Sequence, residues 1–320
     1  MALVEVSNLT RRFDVSKHLL NRVIERLPKS ILTAVSDVSF NIEEKTVYAL
    51  VGESGSGKST IGKIVVGLNS PSEGSVKIAG VDLSRETDAA KVDVTRSDIQ
   101  MIFQDPYASL NPRWRVRDVI NEPVAARGGD TTGLAERLLE QVGLAAEDAS
   151  KFPHEFSGGQ RQRICVARAL ASEPKMIVCD EPTSALDVSV QAQVLNLMSD
   201  LKDIHGLTYL FISHDLTVVQ HMADRIGVLY LGRLIEEASP EELFSDPKHP
   251  YTQMLLEAAP KMDGFGREVD PPKGEIPDPI NPPTGCAFHP RCPVATAQCS
   301  AERPEMRQLR NARVACHVTT

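Results

Sequence analysis

The sequence predicts an α/β protein with a mostly parallel β-sheet that is covered by helices. Three observations predict this fold class. Short β-rich runs such as TVYALVG, KMIVCD and LTYLFIS alternate with helical patterns. The glycine-rich segment GESGSGKS at 52–59 lies between one such run and a helical pattern. A second run, KMIVCD, leads into two carboxylates, Asp180 and Glu181.

Length and composition limit the possible classes of protein. A chain of 320 residues with 42% hydrophobic and 24% charged residues is typical of a folded α/β domain with an appendage. The net charge of -8 argues against a broad nucleic-acid surface, so we expect no nucleic-acid partner. No apolar stretch approaches the ~20 residues of a spanning helix, and the amino terminus lacks a signal-peptide pattern, so we expect a cytosolic protein.

The order of patterns along the chain predicts its domains. We expect the main domain at 1–258, with a β-rich lobe and an inserted helical subdomain at about 107–174, where strand-like runs are absent. A proline-rich connector and a small cysteine-rich module are expected at 259–320. One helix is predicted to pack on the sheet through an apolar face formed by Val190, Val194, Leu197, Met198, Leu201 and Ile204.

The segment 52–59 fits the phosphate-loop pattern G-x-x-x-x-G-K-[ST]. Its glycines let successive backbone N–H groups point at phosphate oxygens, and the following helix adds its positive dipole end. We expect Lys58 to neutralise the outer phosphates and Ser59 to offer its hydroxyl to Mg²⁺. The predicted ATP-binding residues of the loop and the helix start are Gly52, Ser54, Gly55, Ser56, Gly57, Lys58, Ser59 and Thr60.

The carboxylates after KMIVCD are predicted to have different roles. Asp180 would hold the magnesium shell through water, and Glu181 would act as the general base that polarises the attacking water. A lone Asp-Glu pair is more often a solvated strand end. In a chain that also carries a phosphate loop, the pair indicates a hydrolytic site.

The segment FSGGQRQR at 156–163 resembles the signature sequence of ABC proteins. It opens a second helix with an anion-binding start, and one chain cannot fold both helix starts onto one γ-phosphate. In ABC proteins the signature faces the phosphate loop of the opposing subunit, so the resemblance implies two nucleotides between two head-to-tail subunits. The signature residues expected to act on the partner's nucleotide are Ser157, Gly158, Gly159 and Gln160.

Other segments resemble ABC elements in the family's order, over roughly residues 3–258. Gln104 matches the glutamine that links nucleotide to the transmembrane partner, which implies a catalytic role and a ligand to magnesium. Asp187 lies in the matching loop that crosses the dimer, and His214 matches the catalytic histidine at the γ-phosphate. Phe13 matches the aromatic residue that stacks on adenine, although an aromatic residue there also fits a core or surface position.

Three further segments, DPYASLNPRWRV, HPYTQMLLEAAP and PPTGCAFHPRCP, look like the oligopeptide/dipeptide branch of ABC importers. That branch also imports nickel, glutathione and some oligosaccharides. The insert LLNRVIERLP looks like the second, F-type, ATPase subunit. The resemblance implies a distinct second ATPase subunit, two transmembrane permease subunits and, indirectly, an external solute-binding protein. It also implies a peripheral location on the cytoplasmic face of the inner membrane.

Six cysteines in a reducing compartment indicate burial or metal binding rather than disulfides. Cys165 and Cys179 lie in apolar runs and are expected in the core. Four tail cysteines suit a 4Fe-4S cluster, with tetrahedral Zn²⁺ as the alternative, and some members of the peptide-importer branch carry a cluster at a matching tail. Zinc with mixed ligands and four free thiols also remain open. The predicted metal residues are Cys286, Cys292, Cys299 and Cys316.

Two other classes of ABC protein compete with an importer ATPase. Soluble ABC proteins that act on ribosomes or DNA usually carry two ATPase units or a long coiled-coil insert, and this sequence has one of each motif and no sustained heptads. A catalytically inactive half of a heterodimer is disfavoured because the phosphate-loop lysine, the catalytic glutamate and the signature are intact. The sequence therefore favours an ATP-hydrolysing transporter subunit.

Overall fold

The computed structural model of the chain describes residues 2–16, 28–83, 85–258 and 274–319. The insert LLNRVIERLP, on which the subunit type was predicted, and the first part of the connector lie almost entirely outside the described residues. The strands are β1 (Ala2–Asp14), β2 (Ile31–Glu43), β3 (Val47–Val51), β4 (Glu73–Ile78), β5 (Val81–Asp82), β6 (Ile99–Ile102), β7 (Met176–Asp180), β8 (Thr208–Ile212), β9 (Arg225–Tyr230), β10 (Arg233–Ala238), β11 (Arg307–Leu309) and β12 (Ala312–Val314).

The helices lie mostly between these strands. They are α1 (Lys58–Val65), α2 (Ala89–Ser97), α3 (Pro106–Ser109), α4 (Val116–Ala125), α5 (Leu134–Gln141), α6 (Gly158–Leu170), α7 (Val188–His205), α8 (Leu216–Met222), α9 (Pro240–Ser245), α10 (Pro250–Glu257) and α11 (Ala297–Ala301). Short 3-10 helices occupy Ala146–Ser150, Pro153–Glu155 and His289–Arg291. None of the helices within the described ranges combines the length and apolar character needed to cross a bilayer.

Among the residues that the structure describes, two sheets form the framework, which confirms the predicted α/β class. The larger sheet has the strand order β11-β12-β10-β9-β3-β8-β7-β6 and is parallel from β9 to β6. The smaller sheet has the order β2-β1-β4-β5 and is antiparallel. Every residue of β3, β7 and β8 is buried, as expected for central parallel strands covered on both faces.

The hydrophobic core has two parts, one on each face of the larger sheet. Successive side chains of a strand point to opposite faces. Accordingly, Val47, Ala49 and Val51 of β3 pack with the helices α4–α7, whereas Tyr48 and Leu50 pack with α1 and the smaller sheet. The phosphate loop therefore follows a strand, β3, whose two faces are both packed in the core.

Helix α7 packs on the sheet through a face slightly different from the predicted one. Val194, Met198 and Leu201 are buried, as is Leu195, which was not predicted. The expectation for Ile204 was wrong, because its side chain is 73% exposed near the carboxyl end of the helix. The helix ends at Gly206, whose φ of 64° gives a left-handed cap.

Residues 274–319, here called the C-terminal segment, join the larger sheet. Strand β12 pairs antiparallel with β10, and β11 pairs with β12. Phe288 and Ala312 belong to the same hydrophobic core as the helical side of the sheet. The C-terminal segment has few apolar residues, and it buries Phe288 and Ala312 in the core of the larger sheet rather than in a core of its own.

Candidate active site

The phosphate loop connects β3 to α1 in a conformation that requires glycine at two tight positions. Gly52 has φ +147° and Gly57 has φ +101°. A Cβ atom at Gly52 would lie 2.2 Å from the Leu229 carbonyl oxygen, and one at Gly57 would lie 2.3 Å from that of Ala34. These approaches fix the loop against the neighbouring strands.

Lys58, the first residue of α1, points its side chain into the loop. Its Nζ donates hydrogen bonds to the carbonyl oxygens of Gly52 (2.7 Å) and Glu53 (2.9 Å). Burial lowers the pKa of the Lys58 ammonium, while the carboxylates of Glu181 and Asp180 oppose this shift. The cation is therefore oriented by the backbone of the loop that it serves.

Ser59 and Asp180 meet at the carboxyl edge of the larger sheet. The Ser59 hydroxyl donates to Asp180 Oδ1 at 2.8 Å, and Asp180 is only 5% exposed. Burial raises the pKa of the Asp180 carboxyl, although the hydrogen bond from Ser59 opposes the shift. Hydroxyl and carboxylate oxygens are the ligands that Mg²⁺ prefers, so this donor set fits the predicted magnesium site.

Glu181 lies at the centre of a polar cluster. Its Oε2 accepts a hydrogen bond from Gln104 Nε2 at 2.9 Å, and its Oε1 lies 3.2 Å from His214 Nδ1. The backbone has the uncommon left-handed φ of +49°, and its N–H donates to the Ile212 carbonyl oxygen at 2.9 Å. Such strained residues cluster at functional sites, and here the strain aims the carboxylate between two polar partners.

These groups line one cleft of about 620 Å³. Its wall includes Phe13 of β1, whose ring is half-buried with the Arg11 guanidinium 4.6 Å from the ring centroid. Gly52 and Asp180 do not form part of the wall. Gly52 accepts a hydrogen bond from Lys58, and Asp180 accepts one from Ser59. The predicted residues that line the cleft are Phe13, Ser54, Gly55, Ser56, Gly57, Lys58, Ser59, Thr60, Gln104, Glu181 and His214.

Leu32 and Ala34 of β2 also line the cleft, although no sequence pattern predicted either residue. Leu32 pairs with Phe13 across the smaller sheet, which places it beside the aromatic ring. The signal that would find these residues is the register of β2 against β1. Bulges in this pair shift that register in several places, so the spacing of residues alone does not give it.

The signature residues lie outside this cleft. Ser157 caps α6, since its Oγ accepts from Gln160 N at 3.4 Å while Gln160 Oε1 accepts from Ser157 N at 3.0 Å. Asp187 caps the next helix, α7, by accepting from Val190 N at 3.0 Å. A Cβ atom at Gly159 would meet Val190 at 2.3 Å, so the signature helix start packs closely against the start of α7. Within the described residues, Ser157, Gly158, Gly159, Gln160 and Asp187 are absent from the cleft wall.

The predicted core cysteines are buried, at 2% exposure for Cys165 and 0% for Cys179. Burial raises the pKa of the Cys165 thiol to about 12 and raises that of Cys179 further. Both side chains therefore remain neutral and apolar, which agrees with a packing role.

The predicted metal centre in the tail is not confirmed. Among the described residues, which include all four tail cysteines, no group of three His, Cys, Asp or Glu side chains is placed to hold one ion. Burial raises the pKa values of the Cys286 and Cys292 thiols, and neighbouring cysteines raise them further. A metal centre at these four cysteines stays a prediction.

Two family profiles match the chain. Residues 35–184 match the family described as ABC transporter. Residues 235–299 match the oligopeptide/dipeptide transporter, C-terminal region. The two matches together include the phosphate loop, the signature and the beginning of the C-terminal segment.

The chain is also similar to proteins named for peptide transport. It is 47% identical to the putative oligopeptide transport ATP-binding protein YkfD of Bacillus subtilis, over 99% of this chain and 96% of YkfD. It is 45% identical to the di/tripeptide transport ATP-binding protein DppF of Pseudomonas aeruginosa, over 97% and 95% of the two chains. Among solved structures, the dimeric ATP-binding cassette MJ0796 in a post-hydrolysis state with ADP and Pi gives a TM-score of 0.63 at 29% identity, over 74% of this chain and 98% of that one.

Proposed function

The chain belongs to the family of ABC transporter ATP-binding subunits and carries the C-terminal region of its oligopeptide/dipeptide branch, and on this premise we propose that it hydrolyses ATP to drive import of peptides. The observation that carries the proposal is similarity to peptide-transport ATP-binding proteins over 99% of the chain, together with one cleft lined by Lys58, Glu181 and His214. Nickel, glutathione and oligosaccharides are the alternative cargoes.

The proposed chemistry follows from the geometry of the cleft. Backbone N–H groups of the loop and the Lys58 ammonium would hold the phosphates. Ser59, Gln104 and Asp180 would hold Mg²⁺, which when bound neutralises charge that develops on the phosphates. The Glu181 carboxylate would accept a proton from the attacking water. Phe13 would stack against the adenine.

Two groups orient the proposed base. Gln104 donates to one oxygen of the Glu181 carboxylate, and His214 lies beside the other. These contacts restrict the rotation of the carboxylate and support its position beside the γ-phosphate. Preorganisation of this kind reduces the reorganisation that the reaction would otherwise require. Removal of either group should therefore lower turnover more than it lowers ATP affinity.

A second ATPase subunit is proposed to complete the site. Ser157 and its neighbours lie outside the cleft wall of their own chain, which supports a role at the nucleotide of a partner. The similar cassette MJ0796 is dimeric in its solved structure. In a head-to-tail pair, the capped start of α6 would present its N–H groups to the partner's γ-phosphate. Similarity to DppF supports an F-type subunit whose partner is a distinct paralogue.

The remaining partners follow from the importer class. We expect two permease subunits in the membrane, contact with them at the cytoplasmic face, and indirect dependence on an external solute-binding protein. ATP and Mg²⁺ are the proposed cofactors. No step of this chemistry depends on the tail cysteines.

The composition of the native complex tests this proposal. The tagged chain should be purified from a detergent extract of its own cells and its partners identified by mass spectrometry. The proposal expects a second ATPase, two permeases and peptide-stimulated ATP hydrolysis. A complex with ribosomal proteins, or a chain that purifies without membrane subunits, would instead favour a soluble ABC protein.

A further inference from the structure

Glu53, the second residue of the phosphate-loop motif, contacts residues from distant parts of the chain. Its carbonyl oxygen accepts hydrogen bonds from Lys58 Nζ (2.9 Å) and Ser56 N (3.2 Å) within the loop. Its backbone N–H donates to the Tyr251 hydroxyl at 2.9 Å. Its carboxylate receives two hydrogen bonds from Arg291, Nη1 to Oε2 at 2.8 Å and Nη2 to Oε1 at 2.9 Å. One residue thus joins the loop to α10 and to the C-terminal segment.

The Arg291 side chain is held in a buried aromatic setting. It is 3% exposed, and that of Glu53 is 19% exposed. The guanidinium lies 5.8 Å from the Tyr230 ring centroid and 5.9 Å from that of Phe288. Tyr230, Tyr251 and Phe288 pack mutually, with ring centroids 4.6 to 5.4 Å apart. This packing limits the positions that the guanidinium can take.

The pair has the features of a positional constraint. A bidentate arginine–carboxylate pair fixes both distance and angle, unlike the point charge of a lysine. Removal of one partner from a buried pair leaves the other charge without compensation, so Glu53 would have to move or take up solvent. Such movement would displace the Glu53 carbonyl, which orients Lys58, and the adjoining backbone N–H groups of the loop.

We propose that Arg291 is a positioning residue of the nucleotide site, and that it holds the phosphate loop through Glu53 in the conformation that binds ATP. The proposal rests on the proposed function, because it assigns a role to Arg291 only if this loop binds nucleotide. It makes the C-terminal segment a part of the ATP site, although its residues lie outside the cleft wall. The chemical class of ligand affected is the nucleoside triphosphate with Mg²⁺.

The test is a double-mutant cycle on the full chain. ATP affinity is measured by titration with a fluorescent ATP analogue and Mg²⁺ for wild type, Arg291→Met, Glu53→Gln and the double variant. Arg291→Lys keeps a cation but loses the two-pronged contact. The matched control is Arg313→Gln, because Arg313 is another arginine of the C-terminal segment and donates to the buried Glu237 carboxylate at 2.6 Å.

We expect Arg291→Met and Glu53→Gln each to weaken ATP binding about 5-fold or more, with the double variant no weaker than the worse single variant. Arg291→Lys should be intermediate, and Arg313→Gln should leave ATP affinity unchanged while lowering the melting temperature. The proposal is overturned if Arg291→Met or, should that variant not fold, Arg291→Lys binds ATP like wild type. It is also overturned if the two single effects multiply or if Arg313→Gln weakens binding equally. Wild-type protein that does not bind ATP would instead contradict the proposed function.

Discussion

At the scale of single residues, the proposed reaction depends on how Glu181 is held. Its carboxylate lies between Gln104 and His214, and its backbone has a left-handed conformation that few glutamates adopt. Neither contact involves the phosphate loop. Binding of nucleotide and cleavage of its γ-phosphate are therefore separable at this residue.

Glu181→Gln is expected to retain ATP binding and to lower hydrolysis by about 10² to 10⁴, because it removes the proton acceptor but keeps the shape of the side chain. Single-turnover ATP hydrolysis and ATP affinity should be measured in the assembled ATPase pair. The partner's corresponding glutamate should be intact in one series and replaced in another. Hydrolysis near the wild-type rate in both series would contradict the assignment of the base.

Asp180→Asn is expected to raise thermal stability while it abolishes Mg²⁺-dependent turnover. Burial raises the pKa of the Asp180 carboxyl, so the charged form is disfavoured by its surroundings in the folded protein. Removal of that charge should raise the melting temperature, at the expense of metal binding. Thermal unfolding without Mg²⁺ and turnover with Mg²⁺ are the measurements. A less stable variant would contradict a net cost of keeping this carboxylate charged in the folded chain.

At the scale of elements, we propose a second function for the start of α6 besides capping a helix. The reciprocal bonds between Ser157 and Gln160 satisfy N–H groups at the helix start. The remaining N–H groups of α6 give the positive end expected to face the partner's nucleotide. Substitutions that keep the cap can therefore separate stability from activity.

Ser157→Asp is expected to keep the cap of α6, since aspartate caps helices as well as serine. It should nevertheless block turnover by placing a negative charge towards the partner's phosphates, while ATP affinity at its own loop is unchanged. Lys58→Ala should do the reverse and weaken ATP binding at its own loop. ATP affinity of the isolated chain and turnover of the assembled pair distinguish the two. Equal loss of affinity in both variants would contradict a signature that acts in trans.

Helix α10 contains a titrating cap. His249 is 1% exposed, its Nδ1 accepts from Tyr251 N at 3.0 Å, and burial lowers its pKa to about 3. The unfolded chain protonates this imidazole below about pH 6.5, so it binds more protons than the folded chain between these two values. The stability present above pH 6.5 is consequently lost as the pH falls towards 3.

His249→Asn keeps an acceptor for the Tyr251 N–H but does not titrate. Below about pH 6.5, wild type should lose up to about 1.4 kcal/mol of unfolding free energy per pH unit more than this variant. Urea unfolding at several pH values between about 7.5 and 5 gives the slope of unfolding free energy against pH for wild type and for the variant. Parallel slopes would show that His249 is not buried in its neutral form.

The elements of the site differ in how far sequence predicts them. The phosphate loop and the Asp180–Glu181 pair were predictable because their chemistry lies in contiguous residues after buried strands. The pairing of Glu53 with Arg291 was not, since 238 positions separate the two residues and only the fold brings them together. Ile204 fits the helical period but is exposed in the last turn of α7, so periodicity alone misplaced it. The number of tail cysteines predicted a metal centre, and this stays a prediction.

At the scale of the whole molecule, the ATPase domain and the C-terminal segment share one sheet. The antiparallel pairing of β12 with β10 continues the larger sheet, and Phe288 lies in the main core. The C-terminal segment, part of which matches the peptide-transporter profile, thus belongs to the same sheet as β3, the strand before the phosphate loop. We infer that this connection lets the C-terminal segment affect the conformation of the ATP site.

The measurement that tests the central claim most directly is ATP-driven peptide uptake by the purified complex in proteoliposomes. ATP and Mg²⁺ are supplied on the side that carries this chain, and a labelled dipeptide or oligopeptide is supplied with the solute-binding protein on the other. The account predicts uptake that requires ATP and is lost with Glu181→Gln, although the variant complex still binds ATP. Uptake that continues at the wild-type rate with Glu181→Gln, or a complex that hydrolyses ATP but moves only another class of solute, would contradict it.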